Sequence, residues 1–205
     1  MATAACSRQT DDLVFVEADH AYYFRGTRIV SVTQAISAAG LIDSEWFTEY
    51  SRERGRAVHL ATQFDDEGDL DPASLSPVIA PYFEAHRRFK RETGFVPQMI
   101  ESRFCRVDQG YAGTFDRFGL MGGKRKAIVD YKTGPIAPWT RLQLAAYCAS
   151  LPGAAGFERY AVRLCDDGTY KMKCFPISDF RQDLNDFLTT VRIAQLQEEC
   201  GCQRY

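Results

Sequence analysis

Long apolar runs are missing from this 205-residue chain. None approaches the ~18 residues that a membrane-spanning helix requires, and residues 1–12 are too poor in apolar side chains for a secretory leader. The expectation is a cytoplasmic protein with no membrane partner. Ordered cysteine spacing is also missing. The seven cysteines, at 6, 105, 148, 165, 174, 200 and 202, form neither a CxxC pair nor the even framework of a secreted disulfide protein, so most are expected to be reduced core thiols. An excess of positive charge is absent too: 25 Lys and Arg stand against 27 Asp and Glu, a net charge of -2. That excludes a generally cationic nucleic-acid binder and leaves only local patches for such contacts. No internal repeat or flexible linker occurs. What is present is a hydrophobic share of 45% and a charged share of 25%, the balance of a soluble globular protein. The length fits one domain, expected over residues 13–205, with residues 1–12 a loosely attached N-terminus.

The first half alternates short strands and helices. Val14 and Val16, then Tyr22 to Phe24, then Ile29 and Val30 read as strands, with Arg25-Gly26 as a turn, so an N-terminal hairpin is expected. Ser31 or Thr33 caps a short helix that Gly40 ends. Asp43 or Ser44 caps another, carrying Trp46, Phe47 and Tyr50, which Gly55 interrupts. Beyond it, Ala57, Val58, Ala61 and Phe64 make an apolar face while Arg56, His59 and Gln63 share a polar one. Residues 65–71, acidic with Gly68 and followed by Pro72, read as a loop. Ser76-Pro77 starts a helix that ends at Gly94.

From Met99 the period shortens to two. Strands are expected at 100–107, 111–121 and 125–132, joined by turns at 108–110 and Gly122-Gly123, which makes a three-stranded antiparallel meander. A helix at about 138–150, strands near 160–164 and 170–175, and a last helix capped by Ser178 follow. The order β-β-β-α-β organises the chain.

Chemistry concentrates on the meander. Side chains two apart on a strand share a face, so Asp130 and Lys132 project together while Tyr131 points away. Asp116, on the preceding strand, can be brought beside Asp130 by hairpin pairing. Two carboxylates held close repel unless a divalent cation compensates them. Mg²⁺ or Mn²⁺ suits one or two carboxylates with a substrate phosphate, and the backbone carbonyl of Tyr131 can add a ligand. Lys132 would orient water or stabilise developing negative charge. A D-x-K triplet alone arises by chance in most proteins. The ordered set is more specific: Gly113-Thr114-Phe115-Asp116, then Ile128-Val129-Asp130-Tyr131-Lys132-Thr133-Gly134, then Gln143-Leu144-Ala145-Ala146-Tyr147.

With these three motifs in this order, the chain resembles the RecB-like branch of the PD-(D/E)XK nuclease superfamily, in which a GxxD strand, a D/E-x-K strand and a Q-x-x-x-Y helix recur. The resemblance extends to His59 in Gly55-Arg56-Ala57-Val58-His59, and His20-x-Tyr22 followed by Ser31-Val32-Thr33 looks like the N-terminal hairpin of phage- and prophage-type members. Together the matches run from about residue 15 to 175. The resemblance implies an α/β fold with a restriction-endonuclease-like αβββαβ core, a central mixed sheet flanked by helices, and an N-terminal β-hairpin. It implies a Mg²⁺- or Mn²⁺-dependent DNA nuclease, an exonuclease of phage recombination or DNA processing, with a recombination or replication partner protein. The catalytic set is then Asp116, Asp130, Lys132 and Gln143. The metal set is Asp116, Asp130, the Tyr131 carbonyl, His59 and Glu101. For DNA contact, Arg52, Arg56 and Arg141 are the phosphate candidates. Trp139 and Tyr111 are candidates for stacking on unpaired bases, and Tyr147 shares a helix face with Gln143. Several RecB-like nucleases carry an iron-sulfur cluster; Cys6 with Cys200 and Cys202 falls short of four thiolates, so no cluster is expected. A DNA-binding module on the same fold without turnover, and a nuclease acting on RNA or structured junctions, remain alternatives.

Overall fold

The structure, a computed structural model, describes residues 12–17, 21–43 and 48–202. The expectations for residues 1–11 with Cys6, for His20, and for the helix start at Ser44, Trp46 and Phe47 lie outside the described residues. Three short strands open the fold: β1 (Leu13–Val16), β2 (Ala21–Phe24) and β3 (Thr27–Ser31). The β2–β3 turn places Arg25 at φ 50° and Gly26 at φ 78°, the doubly left-handed geometry that matches the twist of a two-residue hairpin. Ser31 then caps α1 (Val32–Ala38) in a reciprocal box, its hydroxyl accepting from the Gln34 N–H and its own N–H donating to the Gln34 side chain, both at 3.1 Å.

Two sequence expectations fail on α2 (Glu49–Glu67), which is capped by Thr48 and runs unbroken through Gly55. A Cβ at Gly55 would meet the Thr133 hydroxyl at 3.6 Å, an ordinary van der Waals contact, so the glycine lies where α2 passes the end of β6 and does not break the helix. The helix also takes in Asp65 and Asp66, expected in a loop, and ends at Gly68 in the left-handed conformation. Those two carboxylates are tolerated because His86, Lys90 and Arg117 meet them in the fold. Then come α3 (Ala80–Thr93), closed by Gly94 at φ 63°, and the meander β4 (Val96–Arg106), β5 (Tyr111–Met121) and β6 (Arg125–Lys132). The chain finishes with α4 (Thr140–Ala149), β7 (Glu158–Leu164), β8 (Tyr170–Phe175) and α5 (Phe180–Glu199). Ser178 does not cap α5; its hydroxyl donates to Asp179, the residue at the cap position.

The eight strands form one mixed sheet in the order β1-β2-β3-β5-β6-β7-β8, with β4 along the other edge of β5. β3–β5 and β6–β7 are parallel and the remaining pairs antiparallel. Helices cover both faces. Ile36 of α1, Leu144 of α4 and Phe187 of α5 pack with Ile128 on one side. Val58 of α2 and Phe89 of α3 pack with Val129, Tyr131 and Val162 on the other. This is the α/β architecture expected from the sequence, with the αβββαβ order running from α3 through β7. No described helix is long and apolar enough to cross a membrane.

Candidate metal centre

The site forms where β5 and β6 part. Their ladder runs from Met121↔Arg125 to Arg117↔Val129, and one further step would set Asp116 against Asp130. There the pairing stops. The Tyr131 N–H, freed from the ladder, donates to Asp116 Oδ2 at 2.7 Å, while β3 takes up the same edge of β5 at Tyr111 and Ala112. On the other side, Ile100↔Arg117 and Ser102↔Phe115 bracket a skipped step at Glu101 and Asp116. Glu101 sits at φ 43°, with Arg25 one of two described non-glycine residues at positive φ. A non-glycine residue in this region is strained and persists only where its surroundings hold it; here an ion pair and a histidine contact do so.

Around this fork the side chains converge. His59 Nδ1, from α2, lies 3.6 Å from Asp116 Oδ2 and 3.7 Å from Glu101 Oε1, and ligand atoms of the three residues all fall within 4.8 Å of one another. Lys132 Nζ is 2.7 Å from Asp130 Oδ2 and donates to Gln143 Oε1 at 2.9 Å. The Gln143 amide in turn donates to the Tyr147 hydroxyl at 2.9 Å. Asp130, Lys132, Gln143 and Tyr147 thus form one polar chain from β6 to α4. Trp139 stands beside it, its ring 5.5 Å from Lys132 Nζ.

The electrostatics are those of crowded, buried anions. Burial, with Asp116 adding to it against Lys132, raises Asp130 to about 6. Burial likewise raises Asp116, helped by Glu101 and opposed by His59. Burial disfavours the charged form of His59, yet Asp116, Glu101 and Asp130 together lift its pKa to about 9. The shift shows a field strong enough to overcome desolvation of a cation. A proton on His59 and a divalent cation are alternative answers to that field. The donors fit such an ion: oxygen ligands from Asp116, Asp130 and Glu101 suit Mg²⁺, and an imidazole beside them suits Mn²⁺ equally. The Tyr131 N–H holds Asp116 in place, which leaves the carbonyl of the same residue available as the further ligand expected from the sequence.

Some candidates for DNA contact are placed elsewhere. Tyr111 is 0% exposed, with its hydroxyl on the Ala146 carbonyl at 3.1 Å, so a role in stacking on a base is corrected to a core role. Arg141 is held by Asp183 and Asp186 at 2.5 and 2.7 Å, which commits its charge to anchoring α5. Tyr147 is buried and serves Gln143. Arg52 and Arg56 lie on the exposed side of α2, and Trp139 is half-buried.

Sequence reasoning missed Arg117. Fully buried, it donates to Asp66 at 2.6 Å, Glu101 at 2.9 Å, the Asp116 carbonyl at 2.7 Å and Thr62 at 3.1 Å. The signal was there: an arginine adjacent to Asp116 points to the opposite face, among Ala127, Val129 and Tyr131, where a charge needs a dedicated partner. Asp65, Asp66 and His86 make a second cluster with metal-ligating atoms in range of one another. Lys90 and Arg117 already neutralise it at 2.5 and 2.6 Å, so it is a structural ion network.

No protein-family description matches the chain, and no curated protein matches it in sequence. Among solved structures it is similar to an alkaline exonuclease (LHK-Exo) from Laribacter hongkongensis, at 14% identity over 84% of this chain and 93% of that one, with a TM-score of 0.34. The same exonuclease in complex with dAMP matches at 14% identity, with the same coverage and a TM-score of 0.32. At those scores the likeness adds nothing to the geometry above.

Proposed function

We propose that this chain is a Mg²⁺- or Mn²⁺-dependent nuclease that hydrolyses phosphodiester bonds in DNA. The observation that supports it is the fork itself: Asp116, Glu101 and His59 bring their ligand atoms within 4.8 Å of one another, while Asp130 on the adjoining strand, in electrostatic reach of Asp116 and His59, pairs with Lys132, which Gln143 also holds. Asp116, Asp130 and Glu101, with His59 as a nitrogen donor, would hold the ion. A bound Mg²⁺ or Mn²⁺ supplies polarisation of the scissile phosphate and a lowered pKa for attacking water. Lys132 places a positive charge where negative charge develops on the phosphate, a preorganised contribution that needs no rearrangement. Gln143 fixes the Lys132 ammonium, and Tyr147 fixes Gln143, so the amine keeps its position as substrate enters. Asp130 anchors the Lys132 side chain through their 2.7 Å contact.

The resemblance to RecB-like nucleases supports action at linear ends, hence an exonuclease of phage recombination or DNA processing working with a recombination or replication protein in the cytoplasm. Incubating the purified protein with end-labelled linear and circular DNA in Mg²⁺ and in Mn²⁺ tests both levels. Linear DNA is expected to disappear and circular DNA to persist. Lys132→Ala is expected to lower the rate about 10²- to 10³-fold, the scale for losing one preorganised charge contact, and Asp130→Ala to abolish it. Full cleavage by folded Asp130→Ala protein, or none by wild type in either metal, ends the reading. Digestion of RNA alone would move the substrate and keep the chemistry.

A further inference from the structure

Five exposed arginines are already answered by carboxylates: Arg25 by Asp12, Arg87 by Asp65, Arg88 by Glu92, Arg125 by Glu158 and Arg192 by Glu199. The C-terminal edge of the sheet differs. Lys132 of β6 stands in register with Arg163 of β7, and Arg163 with Lys171 of β8. Directly paired residues project to the same face, so three cationic stems form a row that starts at the candidate metal centre and ends on the exposed edge strand. Neither Arg163 nor Lys171 has a carboxylate within ion-pair distance among the described residues.

A second observation points to a ligand. The Nε of Arg163 is buried without a hydrogen-bond partner, and so is the Nε of Arg54. Arg54 belongs to the turn of α2 where Gly55 approaches Thr133, the residue after Lys132, and both guanidinium groups bear electrostatically on the Tyr82 phenol. The Arg54 guanidinium carbon lies 5.6 Å from the Tyr82 ring centre. Among the described residues no carboxylate pairs with either guanidinium, and a partly buried cation without a counter-charge is costly, so an acceptor rich in negative charge that reaches the remaining N–H groups would answer both. The only requirement on the ligand is a run of anionic oxygens at intervals, reachable from the centre along the strand ends.

We propose that Lys132, Arg163 and Lys171, flanked by Arg54, form a track for consecutive backbone phosphates of a nucleic-acid strand leading into the Asp116–Asp130 centre. The proposal rests on the nuclease reading and names which side of the centre the strand occupies. Because the whole molecule carries a net charge of -2, this local row, and not bulk attraction, supplies the affinity.

The test is binding of fluorescent DNA by anisotropy in EDTA, across 50 to 200 mM salt, for wild type, Arg163→Lys, Arg163→Gln, Lys171→Gln and the Arg163→Gln, Lys171→Gln double variant. Isothermal titration with Mn²⁺ runs alongside. Each neutralised contact is expected to weaken binding severalfold, equally for unrelated sequences, and to flatten the slope of log affinity against log salt by about 0.7 to 0.9. Arg163→Lys, which keeps charge and fold, should retain the slope. Mn²⁺ binding should not change in any variant. Lys124→Gln with Lys126→Gln, at the far β5–β6 turn, should leave affinity unaltered. Wild-type affinity and slope in the double variant overturn the track while leaving the nuclease reading intact, as does an equal loss from the Lys124 and Lys126 changes. Wild-type protein that neither binds nor cleaves DNA overturns both.

Discussion

At the scale of single residues, Asp130 and Lys132 were legible because strand alternation alone puts them on one face, and Asp116 because the hairpin register is short and well marked by Gly122-Gly123. Arg117 was not legible, since its partners arrive from two other elements: Thr62 and Asp66 from α2, Glu101 from β4. It joins the helix layer to the strained Glu101 and to the backbone of Asp116, which makes it a positioning residue for the centre. Arg117→Met removes the buried cation shared by Asp66 and Glu101, leaving Asp66 to Lys90 and His86 and Glu101 to His59; removal of one partner from a buried ion network destabilises by up to about 3–5 kcal/mol. Arg117→Lys keeps the charge but has no planar fork to span Asp66 and Glu101 together. The expected result is partial recovery of stability in urea titrations for the lysine variant, with Mn²⁺ affinity still reduced in calorimetry. Wild-type Mn²⁺ affinity in Arg117→Lys protein would leave the residue a purely structural role.

Among elements, the ones read correctly are those whose period and punctuation agree: the meander, the β7–β8 hairpin with its turn at 166–168, and α3 closing at Gly94. The α2 helix was misread because Gly55 and the acidic run at 65–71 carry local signals for a break, and tertiary contacts outweigh them. Gly119 teaches the converse. In sequence it is a weak point inside a strand, yet a Cβ there would lie 2.2 Å from the Val96 carbonyl oxygen and 2.8 Å from the Pro97 Cα. The β4 backbone crosses at a register shift between Pro97 and Met99, and only a glycine lets it come so near. Gly119→Ala must push β4 away from β5 along the strand that carries Glu101. A loss of more than about 2 kcal/mol in denaturant is expected, above the usual range for a surface change. Unchanged stability would show that β4 can shift freely, and that the strained Glu101 does not depend on this crossing.

For the whole molecule, the arrangement of charge matters more than its sum. The Asp65–Asp66–His86–Lys90–Arg117 network ties α2, α3 and β5 together on the face opposite the candidate centre, and it sets the acid limit of stability. Burial alone would raise Asp66, but His86, Lys90 and Arg117 drive it down from its ordinary value of 3.8 to about 2; Asp65 is lowered as well, chiefly by His86 against burial. A carboxylate whose folded pKa is depressed contributes stability that is present above its unfolded pKa and is lost as pH falls through the folded one. Asp66 alone accounts for about 2 kcal/mol on this basis. Stability in urea should therefore hold from pH 7 to near 4 as far as this group is concerned, then drop between pH 4 and 2. Asp66→Asn should begin lower at pH 7, because it leaves Arg117 and Lys90 short of an anion, and should lose that part of the acid slope. An identical acid slope in wild type and Asp66→Asn would mean that the network does not hold its protons as this geometry requires, and that other carboxylates set the limit.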